Sequence, residues 1–356
     1  MNTTHTNSID ILAIGDTVVD AFIKLQVGEV QTNKETEEKL LCMPFGDKVP
    51  FTESIEVPGV GNSANAAVSS ARLGLHAALL TYVGKDADGQ KSIDALAHNG
   101  VMTDFIHTVD GKKTNYHYVL WFKDERTILI KHEVFDYHMP EALVTRAMAA
   151  PRYMYLSSLG ENSLPFHTEV ATYLQNNPDV KLVFQPGTFQ MKFGTEALRD
   201  MYKRTHIFFC NKEEAIHILG LDTDTDHKIQ HLLLKLRELG PELPIITDGP
   251  AGSYTFDVDI HNITSLTIDE HTPVIYLPIY PDPLPPLERT GAGDAFASTC
   301  MVAIAQGKDV RTALMWGSIN SMSVCQQVGA QRGLLTEPEI LAWMEKAPAD
   351  WKIEQL

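Results

Sequence analysis

Short apolar runs rich in β-formers recur along the chain: ILAIG at 11–15, HAALLTYVG at 76–84, YMYLSSLG at 153–160, KLVFQ at 181–185, HIFFC at 206–210 and PIITDG at 244–249. Amphipathic stretches of helical period stand between them, among them SANAAVSSARLG, DGQKSIDALAHNG and HKIQHLLLKLRELG, and several close on a glycine suited to a helix C-terminus. A strand that is apolar throughout must be covered on both faces, and a helix between successive strands brings the chain back in parallel. The alternation therefore predicts an α/β fold of three layers, a mostly parallel central sheet with helices on both faces.

Two regions break the rhythm. Residues 21–58 are long and mixed, with a charged middle, NKETEEK, and a strand-like end, TESIEV. Residues 113–135 read as two strands around a Lys123-Asp124-Glu125-Arg126 turn. Both lie between elements of the main alternation, which predicts strands that leave the central sheet and pair as a small β lid. No repeat or low-complexity tract divides the rest, so residues 1–356 read as a single domain carrying that lid, with 44% hydrophobic residues to fill its core. Near the C-terminus, Thr336 and Glu339 have the spacing of a helix-opening capping box.

Charge and cysteine usage narrow the function. A formal net charge of -17 opposes a grip on a phosphate backbone, so no nucleic-acid partner is expected. Cys42, Cys210, Cys300 and Cys325 are far apart in apolar surroundings and read as buried reduced thiols, not as a disulfide framework or a zinc site. The opening MNTTHTNSID lacks a signal-type apolar run, and no stretch reaches bilayer-spanning length. The expectation is a cytoplasmic protein without a membrane partner.

In an open parallel sheet ligands bind beyond the carboxyl ends of the strands, which singles out four places. After ILAIG come Asp16 and Asp20, two carboxylates that either accept hydrogen bonds from the hydroxyls of a polyol or cap a turn. Next, PGVGNSANAA at 58–67 opens a helix. Gly61 there lets a ligand approach backbone N–H groups, and the amides of Asn62 and Asn65 offer donors and acceptors together. The dinucleotide-binding fingerprint is a weak match to this segment because its third glycine is absent.

Directly after HIFFC, Asn211 and Glu214 occupy positions i and i+3 of a helix start, where they either hold a magnesium ion through water or cap the helix. The fourth place is ERTGAGDAF at 288–296. Gly291 and Gly293 permit a nest of N–H groups at a helix entrance, which stabilises an anion. Asp294 stands close enough to that point to take a proton from an attacking hydroxyl, and an anion hole beside a base is the minimum equipment for phosphoryl transfer. The competing account is an N-capping aspartate beside a glycine turn.

Taken together, GAGDAFAS at 291–298, Gly15 with Asp20, GVGNSANAAVSSARLG, Asn211 with Glu214, the Thr247-Asp248-Gly249-Pro250-Ala251-Gly252 turn and Gly329-Ala330 resemble the ribokinase-like carbohydrate kinase family. They follow the family's order over most of residues 10–335. The resemblance implies a three-layer ribokinase-like fold and ATP-dependent phosphorylation of a hydroxyl on a small sugar or nucleoside. It implies Asp294 as the general base, with the amides of Gly291, Ala292 and Gly293 as the anion hole. Asn211 and Glu214 would organise Mg2+ and the phosphates of ATP, while Thr247, Gly249 and Gly252 would border the nucleotide. Asp20, Gly61 and Asn65, flanked by Asp16 and Asn62, would bind the acceptor under the closing lid.

Three positions depart from the family pattern. Glu288 stands where the family has the aspartate that helps hold a monovalent cation; it keeps the charge, which leaves it a candidate ligand for K+, but it is longer by one methylene, a departure that weakens the expectation of potassium activation. Arg289 replaces threonine and either contacts phosphate or nucleotide or pairs with Glu288 or another acid. Val60 replaces the first glycine of the acceptor loop. These departures motivate a rival reading, a catalytically silent sugar- or nucleotide-binding regulator on the same fold, against which Asp294 and both glycines stand. His117, His132, Tyr116, Tyr118 and Trp121 in the lid strands, and Gln185 after KLVFQ, are secondary candidates for acceptor contact, packing or a turn. Edge strands that leave a sheet invite pairing, so a homodimer through the lid is expected.

Overall fold

A computed structural model describes residues 8–123, 125–222, 225 and 227–356. Among them a ten-stranded sheet runs in the order Glu354–Gln355, Val274–Leu277, Ser253–Phe256, Leu243–Thr247, Thr205–Asn211, Lys181–Phe184, Tyr153–Leu156, Ile11–Ile14, Ala77–Gly84, Ile106–Val109. Every pairing from Leu243–Thr247 to Ile106–Val109 is parallel. The three strands beyond Leu243–Thr247 add on antiparallel, an edge that the sequence pattern did not suggest. The run Ile11–Ile14 is at most 1% exposed at each residue, which is the burial on both faces that an apolar strand demands. Helices Asn62–Arg72, Ala292–Ala305 and Val310–Cys325 pack side by side, and Leu164–Asn176 packs on Arg199–Arg204 as a second group. No helix among the described residues is long and apolar enough to cross a membrane; Cys210, Cys300 and Cys325 are buried free thiols, whereas Cys42, also expected to be buried, is only partly covered because the strand Lys39–Cys42 is largely exposed.

From Ile11–Ile14 the chain moves to Ala77–Gly84 on one side, and it later returns to Tyr153–Leu156 on the other. A crevice opens beyond the carboxyl ends where the strand order reverses in this way. The Asp16 N–H donates to the Ser158 carbonyl across that point, 2.9 Å away, and so fixes the two strand exits relative to each other.

The lid is a second sheet ordered Phe51–Val60, Val18–Leu25, Asn115–Phe122, Glu125–Leu129. It begins earlier than the sequence suggested. Val18 is already in its second strand, so Asp20 belongs to the lid and not to a loop past the first strand. Asp20 lies in register with His117, and Phe22 with Val119. Glu29–Thr32 and Lys39–Cys42 form a separate two-stranded ribbon. Of the expected turn, Asp124 lies outside the described residues, and Glu125 and Arg126 already belong to the following strand. Residues 130–137 leave the lid as irregular chain and bring His132 and Tyr137 back to Asp16.

Candidate active site

The helix Ala292–Ala305 starts from Gly291 at φ 80°, ψ 0°, in the left-handed region. A Cβ on Gly291 would lie 2.3 Å from that of Ala330, so backbone shape and space both call for glycine. A Cβ on Gly293 would meet nothing within 4 Å. The Ala292 N–H turns back to the Arg289 carbonyl at 3.3 Å. Among the described residues, the N–H groups of Gly291, Gly293 and Asp294 donate to no group of the chain, as expected where a helix begins. Of the amides expected to form an anion hole, that of Ala292 is thus partly committed, while the Asp294 N–H joins the free donors.

Asp294 is 8% exposed. Its Oδ1 accepts from Asn62 Nδ2 at 2.8 Å and Gln185 Nε2 at 3.3 Å, and its Oδ2 accepts from Asn65 Nδ2 at 2.8 Å. These amides are oriented from behind. The Asn65 carbonyl accepts from Gln331 Nε2 at 3.1 Å, and the Gln185 carbonyl accepts from the Tyr155 hydroxyl, which leaves both NH2 groups aimed at the carboxylate. Burial raises the Asp294 pKa, and the donors Asn65, Asn62 and Gln185 offset part of that rise by favouring the charged form.

A cleft of about 380 Å³ opens over this carboxylate, bordered by Asp20, Asn62, Asn65, His117 and Gln185. Gly61, at φ 119°, packs directly on the Asp16 backbone, where a Cβ would come within 2.5 Å of the carbonyl oxygen. Asp16 lies behind the cleft wall. Its Oδ1 accepts from the Tyr137 hydroxyl at 2.9 Å, and its Oδ2 is 3.7 Å from His132 Nδ1. Burial, followed by the Asp16 charge, pushes the Tyr137 hydroxyl pKa up. Asp20 Oδ1 lies 3.4 Å from His117 Nδ1.

Asn211 and Glu214 form a reciprocal capping box. Asn211 Oδ1 accepts from the Glu214 N–H at 2.7 Å, and Glu214 Oε2 accepts from the Asn211 N–H at 2.9 Å. The cap that the sequence allowed is therefore present, and both side chains also border the cleft. Burial raises the Glu214 pKa, with the Asp294 charge adding to the effect against the Asn211 hydrogen bond.

A second cavity of about 200 Å³ lies beyond, bordered by Thr247, Gly249, Gly252, Ala292 and Cys325. Gly252 is at φ 99°, and a Cβ there would sit 2.2 Å from the Leu277 carbonyl oxygen. Thr247, Arg289, Gly293 and Phe296 border both spaces, so the two meet at the start of the GAGD helix. Burial pushes the Cys325 thiol up to about 11, which makes it a wall and not a nucleophile.

Glu288 faces away from both spaces. It is 5% exposed, and its two oxygens accept from the Thr290 N–H at 2.9 Å and the Gly329 N–H at 2.8 Å, strapping the GAGD loop to residues 326–330. Arg289 is exposed and, among the described residues, forms no ion pair with Glu288 or another acid. Arg126, Tyr137, Tyr155 and Gln331 were not singled out by sequence. Arg126 sat inside an expected turn, and the other three act through partners far along the chain, so no local pattern marks them.

The pfkB family carbohydrate kinase model matches residues 36–337. A ribokinase of Bacillus subtilis is 27% identical over 304 residues, 83% of this chain and 90% of that protein. A nucleoside kinase of Methanothermobacter thermautotrophicus is 23% identical over 353 residues, 97% of each chain. The Arabidopsis thaliana ribokinase solved with ribose and ATP superposes with a TM-score of 0.73 at 19% identity, covering 95% of this chain and 99% of that one.

Proposed function

Because the chain belongs to the pfkB family of carbohydrate kinases and is a ribokinase-like phosphotransferase, we propose that it transfers the γ-phosphoryl group of ATP to a hydroxyl of a small sugar or nucleoside. The observation that carries this reading is the position of Asp294. A buried carboxylate oriented by three amides stands where two cavities meet, next to the free N–H groups of a helix start.

In this reading the acceptor occupies the cleft beside Asp20, Asn62 and Asn65, and the nucleotide lies along Thr247, Gly249 and Gly252. Asp294, ionised, accepts the proton of the acceptor hydroxyl as its oxygen attacks phosphorus. The N–H groups of Gly291, Gly293 and Asp294 stabilise the charge on the transferring group, where fixed donors need no reorganisation. Arg289, exposed between the two cavities, contacts phosphate. The lid keeps water from competing with the acceptor.

Among the described residues no group of three or more His, Cys, Asp or Glu side chains could hold a metal by itself. Asn211 and Glu214 fit a magnesium ion that arrives with the nucleotide, because Glu214 is a carboxylate at the cleft that feels the Asp294 charge without a basic partner. Bound there through water, Mg2+ would neutralise the phosphate charges. Glu288 likewise has no ion-pair partner among the described residues, and each of its oxygens keeps a lone pair that fits K+.

We further read the lid as a contact between two copies. Phe51, Leu129 and Ile130 are 57%, 52% and 63% exposed, and sedimentation showing monomer at every concentration would count against that contact. The kinase reading is tested by ADP release with D-ribose, D-fructose, D-gluconate and adenosine, comparing wild type with Asp294→Ala. Turnover by wild type and none by the variant is expected, and equal turnover would remove Asp294 as the base.

A further inference from the structure

We propose that Trp351 is a positioning residue for nucleotide binding: without bordering either cavity, it holds the proline-rich segment that walls the second one, through Pro278 and Tyr280. This rests on the reading above in which the second cavity takes the nucleotide, and it adds a residue that acts on that ligand only through others.

The wall is unusual in how little of its own structure holds it. Pro278, Pro281, Pro283, Pro285 and Pro286 crowd into residues 278–286, and a proline has no N–H to stitch into a ladder. The segment accordingly runs as irregular chain from the strand Val274–Leu277 to the GAGD loop. It nonetheless presents Ile279, Tyr280, Asp282 and Pro286 to the second cavity. Ile279 is 42% exposed and Leu284 68%, so much of its other side faces solvent. Its far end is tied to the helix Val310–Cys325 and the residue after it: the Leu287 N–H donates to the Cys325 carbonyl at 2.9 Å, and Gln326 Nε2 donates to the Leu284 carbonyl at 3.0 Å.

The near end is tied by Trp351. Its Nε1 donates to the Pro278 carbonyl at 3.0 Å, and its ring meets Tyr280 edge to face with centroids 4.8 Å apart. Trp343 meets the same tyrosine ring at 5.8 Å, and its carbonyl accepts from the Tyr280 hydroxyl at 2.9 Å. The Tyr280 N–H donates to the Ser318 hydroxyl at 2.8 Å, and Ser318 borders the cavity too. Trp351 is 6% exposed and Tyr280 4%, so the cluster is closed to water. Its own segment is fixed on the strand that leads into the wall, since Glu354 and Gln355 pair with Tyr276 and Ile275 and the Leu356 N–H donates to the Val274 carbonyl at 2.9 Å.

Tyr280 therefore borders the cavity and packs on Trp351 at once. Removing the indole frees the Pro278 carbonyl and uncovers the tyrosine ring, and no ladder bond is left to keep residues 278–281 in place. The acceptor cleft has no residue of 278–286 in its lining, so acceptor binding does not depend on this clamp.

The test uses the full-length protein. Calorimetry reads binding of ADP with magnesium, and steady-state rates give KM for ATP and for whichever of D-ribose, D-fructose, D-gluconate and adenosine is turned over. Trp351→Ala should weaken ADP binding and raise KM for ATP roughly 10-fold, with kcat and the acceptor KM changed by less than about 3-fold. Trp351→Phe keeps a ring against Tyr280 and loses the N–H, so it should recover part of that affinity and stay roughly 3-fold weaker than wild type. Val170→Ala, a truncation in the core on the helix Leu164–Asn176, borders neither cavity; it should lower the melting temperature and leave ADP affinity unchanged. Ser321→Trp puts a large ring into the second cavity and should abolish ADP binding. Unchanged ADP affinity in Trp351→Ala, or in Trp351→Phe should the alanine variant not fold, overturns the proposal and leaves the nucleotide site standing. An equal loss of affinity in Val170→Ala also overturns it, because the effect would then be general destabilisation. ADP bound by Ser321→Trp as tightly as by wild type, or no ADP bound by wild type, removes the nucleotide from this cavity and overturns both. The binding arm decides the matter whether or not an acceptor is turned over.

Discussion

Asn65 Nδ2 donates to Asp294 Oδ2 at 2.8 Å, a contact between residues 229 apart in sequence that ties together the first turns of two helices. Each of those helices is entered through a glycine with positive φ, Gly61 at 119° and Gly291 at 80°. Two positive helix ends therefore converge on one carboxylate, and this convergence, with the amide donors, lets a deeply buried acid carry charge.

The balance is measurable as a pH profile. In the proposed reaction Asp294 must be ionised to accept a proton, and burial raises its pKa above the ordinary aspartate value while Asn65, Asn62 and Gln185 pull it back. kcat/KM should therefore fall on the acid side around a pKa higher than that of an exposed aspartate. Asn62→Ala removes one donor to the charged form, so its acid limb should move to higher pH. A limb that stays in place or moves down in the variant would show that the profile reports another group.

Glycines 291 and 293 should separate structure from chemistry. Gly291→Ala forces a side chain into the left-handed region, at about 1–2 kcal/mol, and into Ala330, so its melting temperature should drop clearly. Gly293→Ala meets nothing within 4 Å and gains helix propensity, so its stability should hold or rise. Its methyl group nevertheless enters the space where the two cavities join, and kcat/KM for ATP should fall at least tenfold. Equal melting losses in both variants would contradict this division.

Much of the fold was legible because parallel strands buried on both faces must be apolar runs. Ile11–Ile14, Ala77–Gly84 and Lys181–Phe184 could hardly be read otherwise. The lid strand Val18–Leu25 was misplaced because its first residues follow the central strand after a three-residue gap, and Asp20 looks like loop until its register with His117 is known. The GAGD start, both asparagines and Glu214 were visible through local rules of helix entry. Tyr137, Tyr155 and Gln331 were not, because each orients a site residue across long sequence separations and leaves no periodic trace.

Glu288 offers a test of strap against cation ligand. Glu288→Gln keeps the length but leaves one oxygen for two N–H donors, Thr290 and Gly329, and should lower stability by about 1–3 kcal/mol. If Glu288 also holds a monovalent cation, wild-type turnover should rise when K+ replaces tetramethylammonium, and the variant should lose that response. A wild-type rate indifferent to the cation would leave Glu288 as a strap alone.

Glu214 joins stability to ligand charge most directly. Burial and the nearby Asp294 charge hold its pKa above the usual glutamate value, so the folded chain binds this proton more tightly than the unfolded chain does. The native state consequently keeps its full advantage below the ordinary glutamate range and loses it as pH rises through the raised value. Glu214→Gln cannot ionise, and its amide oxygen can still accept from the Asn211 N–H, so the capping box survives. The variant should melt with wild type below about pH 4 and increasingly above it toward neutral pH, reaching a plateau once wild-type Glu214 is fully charged. Magnesium with ATP should then stabilise wild type more than the variant, because only wild type has a charge there to compensate. Thermal melts from acid to neutral pH, with and without magnesium and ATP, read both effects. A melting difference independent of pH, or equal gains from the nucleotide, would mean that the Glu214 charge neither strains the fold nor serves the ligand.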